Sequence, residues 1–196
     1  STDGVSSCHI VWNWKPSAAR LGNKLDFVGI VLLMWSAGVA SIHFAFMCQP
    51  LLRIIHWTSA SIGCHVATMS ISAVSCIAFT VYPPFTSPSF RTYRAVIYSS
   101  LGLSGIIFIT HGFYLWDYAI QSKRLSFELM LLMAMLNLTG AVLYATRFPE
   151  CRYPYYFDFL GASHQIFHLL VLAAALVHYR ALGNAFLIGR QELTAC

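Results

Sequence analysis

His164 and His168 stand four residues apart in the stretch Ser163-His164-Gln165-Ile166-Phe167-His168. On a helix, residues at that spacing lie one above the other on a single face, so two imidazoles can converge on one small cation. The pair also reads as two packed core histidines, each satisfied by a neighbouring carbonyl, and spacing alone does not choose between the two. Residues 159–179 contain no Asp, Glu, Lys or Arg. A run of that length crosses a hydrocarbon core of about 30 Å, and ionisable groups held inside a membrane are costly enough to point to function.

Two further residues enter the same search: His9, which precedes the first apolar run, and Asp26, which opens it. Asp26 has an ordinary reading too, as a cap or first-turn carboxylate favoured by the helix dipole. The elements that would position these groups are five apolar runs, at about 27–47, 54–81, 95–116, 129–146 and 159–179. Counting crossings places the residues before the first run and those entering the fifth on one membrane face. Three imidazoles (His9, His164 and His168) and the carboxylate of Asp26 therefore share a side before any packing is assumed. His43, His56, His111 and His178 fall near the opposite face and His65 at mid-depth, where they read as interfacial or packed histidines.

Three imidazoles with a fourth position open form the ligand set of a hydrolytic zinc centre, whereas structural zinc sites are usually closed by four protein ligands. Zinc held this way brings the pKa of its water toward neutrality. Asp26 is then the candidate to hold or deprotonate that water, or to orient a ligating imidazole. Copper, nickel and iron also accept three imidazoles.

Composition agrees with a membrane protein. The 196 residues are 58% hydrophobic and 10% charged, against roughly 25% charged in a soluble domain. The net charge of +5 comes from Lys and Arg between the apolar runs, with no basic stripe, so nucleic acid is not an expected partner. Seven basic residues fall on the face of the candidate site and five on the other, which by the positive-inside rule puts the site in the cytoplasm. Six cysteines without any C-x-x-C support neither a disulfide framework nor an all-thiolate zinc site. No row of charges lines a run, which argues against a conducting pore. The start, Ser1-Thr2-Asp3, lacks the basic and apolar regions of a signal peptide and reads as a chain that begins partway through something longer.

Between the runs, Pro83-Pro84 is expected to stop the second, residues 117–124 to form a loop, and residues 147–154 to form a Pro-broken aromatic and basic loop. Gly102, Ser104 and Gly105 in the third run suit close helix approach, and Asn137, Thr139 and Gly140 in the fourth suit interhelical hydrogen bonding and packing.

Gly22-Asn23-Lys24-Leu25-Asp26, Arg147-Phe148-Pro149-Glu150, Phe157-Asp158-Phe159, the Ser163 to His168 hexapeptide and Ala173-Ala174-Ala175-Leu176-Val177-His178 together resemble the progestin and adipoQ receptor family. This is also called the haemolysin III related family, and the likeness is nearest its adiponectin-receptor and fungal branches. It covers nearly all of the chain. The resemblance implies an all-α, polytopic transmembrane helix bundle, with five spans here matching the last five of seven. It implies a single domain over 1–196, in which 1–24 hold the end of a preceding helix and an interfacial loop, 25–182 the five spans, and 183–196 a tail.

The resemblance also implies a zinc ion near the cytoplasmic side, with ligands on His9, His164 and His168 and the zinc-water aspartate on Asp26. The 17 residues from His9 to Asp26 suit the family pattern. The family's serine four residues before the first ligand is replaced by Val5. The implied function is an integral membrane zinc-binding protein of lipid signalling or of lipid and zinc homeostasis, in the plasma membrane or an endomembrane. Membrane lipids, among them ceramide or a free fatty acid, and an extracellular ligand are the implied partners. A zinc-dependent ceramide amide hydrolase and an inactive shortened member are the alternatives.

Overall fold

The first helix is described from Pro16 onward, and no residue after it breaks the helix. With no further proline before Pro50, that helix, α1, continues over Pro16–Ala45. The computed structural model describes residues 16–46, 51, 65–86, 88–153, 156–157 and 161–193. After α1 it contains α2 (His65–Val81), two 3-10 turns at Pro83–Thr86 and Pro88–Phe90, α3 (Arg91–Leu103), α4 (Ile106–Leu115), α5 (Tyr118–Leu125), α6 (Phe127–Thr146) and α7 (Ser163–Leu193). Among the described residues there is no strand. Four stretches are long and apolar enough to cross a membrane: Lys24–Ala45, Arg91–Leu115, Phe127–Thr146 and Ser163–Gln191. The described part of α2 is apolar but shorter, at 17 residues. The architecture is the expected all-α polytopic helical bundle.

Four local expectations change. Asp26 lies well inside α1 and not in its first turn, because nothing between Pro16 and Asp26 is strong enough to interrupt the helix. The third run divides into α3 and α4 at Ser104-Gly105. There the backbone tightens into a turn, Gly105 N donating to Gly102 O at 3.3 Å and Ile107 N to Ser104 O at 3.2 Å. The expected loop at 117–124 is largely helical, as α5, fixed where the Phe113 ring meets Tyr118 and Phe127 at 5.3 and 5.1 Å. The expected tail from Gly183 continues α7 to Leu193. A helical glycine costs only about 1 kcal/mol, and Ala181 and Ala185 on either side of Gly183 are buried.

Neighbour contacts set the helix directions. Lys24 Nζ donates to Val81 O at 2.9 Å and Trp35 Nε1 to Ser70 Oγ at 2.9 Å, so α1 and α2 run antiparallel. The end of α6 meets the start of α7 through Tyr144 and Phe167, whose ring centres are 5.5 Å apart. One apolar cluster, including Phe27, Tyr98, Tyr144 and Phe167, fills the end where α7 begins, and a second, including Ile42, Phe46 and Phe108, fills the other. The hydroxyls of Thr80 and Tyr98 bond to each other between α2 and α3. Asn137 Nδ2 donates to Met133 O of its own helix at 3.1 Å, in place of the interhelical bond expected of it.

At Gly140 α6 and α7 press close together. A Cβ there would lie 3.1 Å from Phe167 Cδ2 and 3.4 Å from Leu170 Cβ. Gly140→Leu is expected to force the two helices apart at a cost of about 1–3 kcal/mol, read as a lower melting temperature of the detergent-purified protein. An unchanged melting temperature contradicts the tight packing described here.

Candidate metal centre

The path of α1 carries Asp26 past the start of α7, where the helix presents His164 in its first turn and His168 in its second. Asp26 Oδ2 lies 2.9 Å from His168 Nε2 and 3.4 Å from His164 Nε2. The two imidazole Nε2 atoms are 3.0 Å apart. Three donor atoms from two helices thus meet at one point, forming the one Asp/Cys/Glu/His group among the described residues with the spacing to hold a metal ion.

The donor atoms test what belongs there. A proton shared between the two rings would satisfy the imidazole pair and leave Asp26 an ion pair without an aligned hydrogen bond. Asp26 Oδ2 is buried, and although it lies close to both rings neither approach has hydrogen-bond alignment. A buried carboxylate oxygen left so is costly. One cation facing all three atoms removes that cost and uses a neutral-imidazole and carboxylate set suited to a divalent ion. The residues present fit a metal.

The centre has an aromatic wall. Phe27, next in the chain after Asp26, meets the His164 ring edge-on at 5.8 Å, and Tyr144 of α6 lies 5.7 Å from the same ring. Behind them, Arg94 is buried. It donates from Nη1 to Phe85 O at 2.5 Å and from Nη2 to the Tyr144 hydroxyl at 3.2 Å. Its guanidinium lies 5.6 Å from the centre of the Phe27 ring, and that of Arg91 4.6 Å from the Tyr144 ring. The two arginines therefore hold the rings that flank His164.

Of the residues singled out from sequence, Asp26, His164 and His168 come together, while His9, Val5 and His56 lie outside the described residues. His65 and His178 are buried away from the triad: His65 meets Phe108 at 5.9 Å and His178 contacts the backbone of Ala37. His111 packs at 5.9 Å from Phe46. Sequence reasoning gave Tyr144 and Glu150 no role at the site and counted Arg91 and Arg94 only among the seven basic residues of that face. Glu150 did stand in the Arg147-Phe148-Pro149-Glu150 motif, but its partner Ser163 is 13 residues away, and no local pattern links them.

The sequence pattern of the family described as Haemolysin-III related matches residues 4–179. The chain belongs to that family. Among its relatives, the "Adiponectin receptor protein" of Drosophila melanogaster is 36% identical over 178 residues, covering 91% of this chain and 37% of that protein. The "Heptahelical transmembrane protein ADIPOR3" of Oryza sativa subsp. japonica is 33% identical over 177 residues, 90% of this chain and 41% of that protein. The "ADIPOR-like receptor IZH2" of Saccharomyces cerevisiae is 34% identical over 182 residues, 92% of this chain and 54% of that protein. The chain therefore spans between about two-fifths and one-half of the length of these family members. Family membership and the long apolar helices together make it a multi-pass integral membrane protein.

The arginine supports can be tested independently of any metal. Arg94→Met leaves the Phe85 carbonyl and the Tyr144 hydroxyl without their donor, and is expected to cost about 1–3 kcal/mol of stability. Tyr144→Phe removes one acceptor and should cost less. Thermal unfolding in detergent reads both, and an Arg94→Met protein as stable as the parent contradicts the network.

Proposed function

We propose that this chain is a zinc-binding membrane protein of lipid signalling or of lipid and zinc homeostasis. The observation that carries the proposal is the meeting of Asp26 Oδ2 with His164 and His168 Nε2 at 2.9 to 3.4 Å. Ligand atoms around a tetrahedral zinc are separated by about 3.3 Å, as follows from bond lengths of about 2.0–2.1 Å. His164 and His168 would supply two imidazoles and His9 the third. Asp26 would serve as a direct ligand or hold a water beside the ion.

The names of the relatives, adiponectin receptor and ADIPOR-like receptor, support the receptor reading, in which the ion ties α1 to α7 and a ligand biases their packing. The loop charges, seven basic residues against five, support a cytoplasmic position for the site.

A second reading, hydrolysis of a ceramide-like amide, is favoured by accessibility. The side chains of His164, His168 and Asp26 remain 17%, 24% and 27% exposed although Asp26 Oδ2 itself is buried, so the group is only partly enclosed, whereas structural zinc sites are closed. Zinc in such a site polarises a carbonyl and acidifies water. Asp26 Oδ2 would take and return the proton. Amide cleavage with water would release a fatty acid and a sphingoid base.

The detergent-purified protein is expected to contain about one zinc per chain, and His164→Ala and His168→Ala to bind it at least ~10-fold more weakly, as measured by chelator competition and metal analysis. Zinc content that neither substitution changes overturns the metal reading. With zinc bound, Asp26→Asn separates the two roles. Loss of fatty-acid release from ceramide with metal retained supports the amidase, while a parent protein that releases none supports the receptor.

A further inference from the structure

The first turn of α7 has an unusual cap. Ala162, whose carbonyl accepts the first helical bond from Ile166 N at 3.0 Å, has no side chain that could satisfy the free N–H groups that open the helix. Glu150 does this from 13 residues upstream: its Oε2 accepts the Ser163 N–H at 2.7 Å, and its Oε1 accepts the Ser163 hydroxyl. Ser163 is fully buried, and a carboxylate at a helix N-terminus is further favoured by the helix dipole.

Glu150 is itself held from two sides. Arg147, with φ of 57°, ends α6 in the left-handed region, and the chain turns back through Cys151 N donating to Arg147 O at 2.8 Å and Arg152 N to Pro149 O at 3.0 Å. Across the bundle, Arg91 at the start of α3 brings Nη1 to 4.0 Å from Glu150 Oε1 while lying over the Tyr144 ring, which in turn flanks His164. The next residue after Ser163 is His164. Terminal turns are the part of a helix that frays, and His168, one turn further in, is protected from that.

We infer that Glu150 is a positioning residue for the metal centre: by holding Ser163 it keeps the first turn of α7 closed and His164 aimed at Asp26 and His168. This rests on the metal reading above. Glu150→Gln keeps one acceptor but turns an amide N–H toward a donor, and Ser163→Ala removes only the hydroxyl bond. The loss caused by Glu150→Gln passes through His164, so it and His164→Ala are non-additive, whereas it adds to the loss from His168→Ala.

Zinc affinity by chelator competition is measured on the full chain for Glu150→Gln, Ser163→Ala, His164→Ala, His168→Ala and the double variants, together with amide hydrogen exchange of residues 163–168 in metal-free protein. Glu150→Gln is expected to weaken zinc at least ~10-fold and to speed exchange in that turn, with Ser163→Ala intermediate. Adding His164→Ala should then change affinity less than about threefold. Wild-type affinity and unchanged exchange in Glu150→Gln overturn the inference, as does full additivity with His164→Ala. A parent chain that binds no zinc removes the metal reading alone. The exchange measurement then decides for or against Glu150 by itself.

Discussion

One carboxylate oxygen and two imidazole nitrogens face each other at 2.9 to 3.4 Å inside a helical bundle, and their lone pairs can share that space only around something positive, a proton or a metal ion. In water the three groups would separate and hydrate. Among apolar helices, desolvation makes an unpaired carboxylate oxygen costly. The meeting of these three donors couples α1 to α7, the two helices that bring them, and the remaining described helices act as the frame for that junction.

The frame acts at short range. Gly140 lets α6 lie close against Phe167 and Leu170 of α7, which brings Tyr144 beside His164. Lys24 and Trp35 tie α1 to α2, fixing the height of Asp26 two residues beyond Lys24. Arg91 and Arg94 enter from the start of α3, beneath the aromatic rings, and Glu150 fastens the first turn of α7. Each support reaches the triad through a neighbouring residue in the chain or through a ring that touches it.

The fold was largely legible because long charge-free runs have few alternatives to membrane helices. The meeting of Asp26 with His164 and His168 was legible for a related reason. Counting crossings puts the start of the first run and the start of the fifth on one face, whatever the packing. The place of Asp26 within its helix was not legible, since local sequence makes an acidic residue before an apolar run resemble a cap, and only the uninterrupted course of α1 from Pro16 shows otherwise. The Ser104-Gly105 division and α5 were also hidden, because a local tightening of backbone bonds and ring packing are not reported by hydropathy. The bond from Glu150 to Ser163 joins residues across a loop, beyond the reach of any local pattern.

Membership of the Haemolysin-III related family sets the context, and the decisive question is whether a metal ion bound to the protein sits at the α1–α7 junction. X-ray absorption at the zinc edge of the purified protein reads this directly. A zinc ion held by Asp26, His164 and His168 predicts a shell of nitrogen and oxygen at about 2.0–2.1 Å, with the outer scattering of imidazole rings and no sulfur. In His168→Ala protein the imidazole contribution should fall. A sulfur shell at about 2.3 Å, or a zinc shell unchanged by His168→Ala, would contradict it.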